Sequence, residues 1–427
     1  MKLKTVYTYL LLLSGIIILN NCQQAVELSP NSLNFLIITA DDLDYSELGC
    51  YGGEIPTPNI DALAQKGVQF TNFYTSQDDS KARSMLLTGT SQAQVPSTQQ
   101  LSPQTMTIAQ ILQEVGYRTM ISGKWNLGTA KADMPIEKGF EQSFVLVQEM
   151  SNHLGNKRTI PATFRENNNI QEISEDFYST QYFARKLLSF LSKGKKKKLR
   201  QPFFAMLSFT APHYPLQAPA RSIQNFSSQY DEGYQAIYEE RLANQLKLGI
   251  HTSVDEVNLP EWSDLSEEEQ QMEAKKMEIY AAMIFDMDRQ IGQVIDYLKV
   301  SKKYDNTIVV FLADGGVSEP KSSSIASLGK TNSMASLGDN WTNIKLGNKG
   351  NNGIATFDNA VKAPLIISSP LLEKSKSSRD KTLRTINDIT PTILELIGIT
   401  HPSENYFTDV LSVEGQSLLS QPTTDNR

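Results

Sequence analysis

Several residues able to handle charge stand at comparable places along the chain. They are the pair Asp41 and Asp42, then Lys124, His213 and Asp314. Each falls at or just after the end of an apolar run that reads as a strand. Taken singly they have plain roles. The Asp pair can cap a helix or face solvent, Lys124 can be a surface lysine, and His213 a satisfied core histidine. Asp314, ahead of two glycines, fits a turn. Gathered in one pocket they would balance charge, with a lysine and a histidine beside carboxylates that repel one another unless a cation lies between them. A second stretch, "TSQDDSKARSMLLTG" (Thr75 to Gly89), reads as the front of a helix carrying Arg83. Its first residues are Asp79, Ser80, Lys81 and Ala82.

These side chains need a scaffold of strands. "NFLIITADD" is a continuous apolar run ending in two carboxylates, as expected of a strand buried on both faces. "YRTMI", "PFFAMLSF", "TIVVFL" and "APLIIS" repeat the pattern. "TPNIDALAQKG" reads as a helix with Thr57 as N-cap, Pro58 in its first turn and Gly67 past its end. "TIAQILQEVG" has the same design, and apolar spacing predicts a long helix over Met277 to Leu298. Strands alternating with helices predict an α/β fold, a mainly parallel central sheet flanked by helices. Such sheets bind ligands beyond the carboxyl ends of their strands, so one pocket can collect the charged residues.

The chain has 427 residues and a formal net charge of −7, which disfavours a nucleic-acid partner. It opens with Lys2 and Lys4, then an apolar run from Leu10 to Leu19, then Cys22. A span needs about 20 apolar residues, so residues 1–21 read as a signal peptide and not a membrane helix. Cys22 resembles a bacterial lipobox cysteine, although Asn21 is larger than the usual residue before it. The expectation is an exported lipoprotein facing the periplasm or cell surface, touching the membrane only through a lipid on Cys22. Residues 22–33 read as a tether. Cys50, the other of two cysteines, would be a small buried hydrophobe with no disulfide. The basic run Ser192 to Arg200 reads as a solvated loop.

Together and in order, several segments resemble the sulfatase family of the alkaline phosphatase superfamily. They include "NFLIITADDLDYSELGCYGG", "TPNIDALAQKGVQFTNFYTS", "RSMLLTG", "GYRTMISGKWNLG", "PFFAMLSFTAPHYPLQAP", "DNTIVVFLADGG" and "EGQSLL". The resemblance implies a sulfatase α/β domain over residues 34–370, with 371–427 a short C-terminal segment and the family's C-terminal sheet subdomain missing. It implies a calcium ion held by oxygen ligands, with Asp41, Asp42 and Asp314 at three ligand positions. Lys124, His213 and Lys349 match the family's residues around the sulfate and the leaving oxygen, and Arg83 the Arg that steadies the nucleophile. Zinc is disfavoured, since the chain has four histidines and only His213 stands in a motif. The implied ligand is a sulfated glycan or other sulfate ester.

The same resemblance exposes departures. Family members place a Cys or Ser four residues before the Arg and oxidise it to formylglycine, whose hydrate attacks sulfur. Here that position is Asp79, and Lys81 stands where Pro or Ala is expected, so formylglycine is not expected. Asn126 replaces a His, Gly315 an Asn ligand, and Lys362 an Arg. The reading is therefore a weak or inactive sulfatase that keeps its cation and anion contacts, with Asp79 as a fourth metal ligand in place of the lost Asn. The alternative is an active sulfate or phosphate ester hydrolase using Ser80 or Asp79.

Overall fold

The computed structural model describes residues 32–419 apart from 97, 99, 156–159, 251–258, 316–326, 347–359, 372–377 and 406–408. The signal segment, Cys22 and Lys349 lie outside the described residues. In chain order the strands are β1 Asn34–Asp41, β2 Gly67–Phe70, β3 Phe73–Ser76, β4 Arg118–Lys124, β5 Gln142–Leu146, β6 Phe164–Glu166 and β7 Asn169–Gln171. They continue with β8 Phe203–Pro212, β9 Thr307–Ala313, β10 Ala360–Lys362, β11 Leu365–Ser368, β12 Ser378–Asp380 and β13 Arg384–Thr385.

Ten strands form one sheet in the order β12-β2-β11-β9-β1-β8-β4-β5-β6-β7. Its centre, β9-β1-β8-β4-β5, is wholly parallel, and the expected mainly parallel sheet is present. β1 and β8 are buried along their whole length, which is why they read as unbroken apolar runs and not as alternating ones. The run "APLIIS" does form a strand, but β11 lies antiparallel to both β2 and β9. β10, β3 and β13 make a second, three-stranded sheet. The segment after residue 370 thus joins both sheets through β12 and β13.

The principal helices are α1 Pro58–Gln65, α2 Asp79–Thr88, α3 Ile108–Glu114, α4 Ser179–Ser192, α5 Gly233–Leu248, α6 Glu267–Val300 and α7 Ile389–Ile397. α6 begins ten residues before the expected Met277. Its first turns carry no apolar stripe, and a capping box of Ser266 and Glu269 starts it. Within the basic run, Lys196–Leu199 forms a short helix, and Lys198 pairs with Glu141 at 2.8 Å.

The start of α1 differs from expectation in its cap. Thr57 makes no capping bond to α1. Asp288 of α6 does so instead: Oδ1 accepts from the Asn59 and Ile60 amides (3.0 and 2.8 Å), and Oδ2 from Asn59 Nδ2 (2.7 Å). Burial pushes this carboxyl up to about 6, against those hydrogen bonds. Unfolded, it would titrate near 3.9. Between about pH 4 and 6 the native state therefore holds the extra proton, so this group's contribution falls as pH rises through that window. Urea unfolding of Asp288→Asn should show wild type losing ground to the variant from pH 4 to 7. A stability difference independent of pH would contradict this assignment.

Candidate functional site

The four central strands deliver their charged residues to one end of the sheet. Asp41 closes β1, Lys124 closes β4, Asp314 follows β9, and His213 follows β8 directly. Gly123 makes the β4 placement possible. It has φ of 131° and packs so closely on β8 that a Cβ would lie 1.7 Å from the Ser208 carbonyl oxygen.

Lys124 sits at the centre of the site with no exposed surface. Its Nζ donates to both Asp41 oxygens (2.9 and 2.8 Å) and to Asp79 Oδ2 (2.7 Å). Burial alone would lower its pKa, but Asp41 and Asp79 hold it above the usual lysine range. The two carboxylates respond in opposite ways. Asp41 is raised by burial, with Asp79 and Asp314 adding to the push against Lys124. Asp79 is also desolvated, yet Lys124, His213 and Arg83 together hold it below the usual carboxylate range.

Asp79 is the first residue of α2, where the helix dipole favours an anion. Asp78 caps this helix, accepting from the Ser80 and Lys81 amides. The Ser80 hydroxyl donates to the same Asp78 oxygen at 2.6 Å. Arg83 lies one turn along, pairs with Asp314 through Nη2, and donates from Nη1 to the Lys124 carbonyl at 3.1 Å. Asp314 has no exposed surface, and neither of its carboxylate oxygens has a hydrogen bond among the described residues. Burial pushes it up to about 7, with Arg83 pulling the other way.

Asp42 adopts a left-handed backbone (φ 64°), a conformation that costs a non-glycine residue roughly 1–3 kcal/mol. Its carbonyl accepts from Lys345 Nζ (3.2 Å) and Tyr280 OH (3.4 Å), and its Oδ2 lies 3.6 Å from His213 Nε2. The His213 ring is oriented by Nδ1 against its neighbour's carbonyl, Tyr214 O, at 2.7 Å. Its own carbonyl is bonded to His153 Nε2 at 2.9 Å. His153 is buried, and its pKa is pushed down to about 4 by burial. It is therefore neutral at pH 7, with Nε2–H donating to His213 and Nδ1 accepting from Ser179 Oγ at 2.9 Å.

Thus Asp41, Asp42, Asp79, Arg83, Lys124, His213 and Asp314 come together, and Lys349 lies outside the described residues. Residues not singled out in the sequence also reach the site. Lys345 and Tyr280 hold Asp42, His153 holds His213, and Glu149 is exposed close to Asp79 and His213. Of these only His153, one of few histidines, carried a signal in its residue type.

The donors suit a hard cation. One carboxylate oxygen each from Asp41, Asp42 and Asp79 lies within 4.8 Å of the others, and Asp314 adds buried oxygens that, beyond the Arg83 ion pair, have no hydrogen bond among the described residues.

A sequence model described as Sulfatase matches residues 33–399. The chain is 35% identical to an uncharacterised sulfatase of Schizosaccharomyces pombe, over 87% of this chain and 76% of that protein. It is 33% identical to an arylsulfatase of Klebsiella aerogenes, over 90% of this chain and 91% of that protein. Its fold is similar to that of BT4656 in complex with its substrate D-glucosamine-2-N,6-O-disulfate. That match has a TM-score of 0.62 at 19% identity, over 91% of this chain and 79% of the other.

Proposed function

Because the chain belongs to the sulfatase family, we propose that its site holds calcium and a sulfated glycan and turns sulfate esters over weakly or not at all. One observation carries this reading: the position that supplies the attacking group in the family is a buried carboxylate, Asp79, bound to Lys124 at 2.7 Å. A carboxylate cannot become a geminal diol, and one anion approaching another costs Coulomb energy that only a cation offsets. Ser80 is a poor substitute, since its hydroxyl is committed to Asp78. Asp41, Asp42, Asp314 and Asp79 would hold the calcium, whose charge would draw in the sulfate oxygens. By resemblance to the family, His213, Lys124 and Lys349 would balance the charge of the anion. The glycan ligand is supported by BT4656, which binds a sulfated glucosamine.

The export reading is kept here too. A lipid on Cys22 would anchor the protein at the periplasmic or cell surface, and among the described residues no helix is long and apolar enough to cross a membrane. Labelling with a fatty-acid analogue, lost in Cys22→Ala, would support the anchor.

The cation reading is tested by thermal unfolding. Calcium should raise the melting temperature, and Asp79→Asn should shrink the shift; a chelator that leaves wild-type stability unchanged would overturn it. The catalytic part is tested with aryl sulfate and aryl phosphate at high protein concentration. Turnover that disappears in Asp79→Ala or Ser80→Ala would replace this reading with that of an active ester hydrolase.

A further inference from the structure

The site contains a second departure, Gly315, directly against the first. Gly315 is buried and is not among the glycines with positive φ, so its backbone does not call for glycine. The constraint is space. A Cβ at 315 would stand 2.5 Å from Asp79 Oδ1 and 2.7 Å from Asp42 Oδ1, well inside ordinary contact distance. Asp79 Oδ2 is bound by Lys124, so Oδ1 is the oxygen that faces Gly315. Two of the proposed cation ligands thus converge on the volume a side chain at 315 would fill.

We infer that positions 79 and 315 share one ligand place: Asp79 supplies a cation oxygen there, and Gly315 admits it by having no side chain. This rests on the cation reading above and deepens it. The two departures from the family pattern are then one exchange, since an oxygen lost at 315 is returned from 79. Either change alone fails sterically or chemically. A side chain at 315 displaces the Asp79 carboxylate, while a small residue at 79 beside glycine leaves the cation short of a ligand.

The inference predicts reciprocal rescue, which independent residues would not show. Calcium binding is measured by titration calorimetry and by the calcium-dependent shift in melting temperature. Gly315→Ala and Asp79→Ala should each weaken binding by about tenfold or more, the scale on which disturbed metal shells respond. The double variant Asp79→Ala with Gly315→Asn should recover to within about tenfold of wild type, because the amide oxygen enters the space the carboxylate leaves. Should Gly315→Ala fail to fold in chelator, the double variant Asp79→Ala with Gly315→Ala should fold there, with the collision relieved. Wild type indifferent to calcium would overturn the underlying cation reading. Calcium-responsive wild type with unaltered affinity in Gly315→Ala, or a double variant no better than Asp79→Ala, would overturn the shared place.

Discussion

Replacing Lys124 by methionine should destabilise the calcium-free protein by about 3–5 kcal/mol, the range for removing one partner of a buried ion pair. Lys124 has no exposed surface and donates to Asp41 and Asp79 together, with Asp314 close by. Methionine fills a comparable volume, so packing changes little and the loss is electrostatic. The protein has two ways to reduce that loss. A proton can move to Asp41, whose pKa is already raised, or calcium can enter among the carboxylates. Urea unfolding at pH 7 separates the two. If calcium is the natural counter-charge, it should restore more stability to Lys124→Met than it adds to wild type. A loss below about 1 kcal/mol, insensitive to calcium, would mean that the ammonium is not what keeps these carboxylates in place.

Much of this site was legible because Asp41, Lys124, His213 and Asp314 each stand at or just after the end of a buried strand. A strand covered on both faces is mainly apolar, so a charged residue at its end marks the exit into the pocket, as Asp41 does at the end of β1. The parallel order of β9, β1, β8 and β4 then sets Asp314, Asp41, His213 and Lys124 side by side at one edge. Apolar runs report burial but not direction. Hence "APLIIS" announced a strand without announcing that β11 runs antiparallel to its neighbours. The start of α6 was missed because its exposed first turns have no apolar stripe, although Ser266 and Glu269 spelled a capping box.

The supporting residues were illegible for another reason. Lys345 reaches the Asp42 carbonyl across 303 positions, and Tyr280 across 238. Nothing local distinguishes a lysine that props a backbone carbonyl from one that faces water. His153 is similar: its role depends on a neutral ring bonded to the His213 carbonyl, which only the packed structure defines. Gly315 could be read as a departure, but only its distance to Asp79 and Asp42 gives that departure a physical cause.

The geometry around Gly315 also governs how far chemistry can be restored. Asp79→Cys with Lys81→Pro, expressed with a formylglycine-generating enzyme, would rebuild the family's maturation motif. Mass spectrometry of the oxidised residue separates failed maturation from failed catalysis. The hydroxyls of a formylglycine hydrate sit on Cβ, one bond nearer the backbone than the Asp79 carboxylate oxygens. The variant therefore also clears the space over Gly315 that Asp79 Oδ1 now crowds. Gly315→Asn should be harmful beside Asp79 and tolerated once Asp79 is gone. Lys124, His213 and Arg83 stand ready to balance charge, and Lys124 would be released from one of its two carboxylates. Asn126, which takes the place of a His, and Gly315 would still limit the rate, since each lost electrostatic contact commonly costs about 10²–10³ in turnover. The double variant should hydrolyse an aryl sulfate slowly, and adding Asn126→His and Gly315→Asn should raise the rate by at least about tenfold, within the gain such contacts supply. Confirmed formylglycine without hydrolysis in the four-site variant would mean that the defect extends past these positions. Suspicion would then fall on the contacts that hold the anion side, with His153 and the exposed Glu149 beside His213 the first to change.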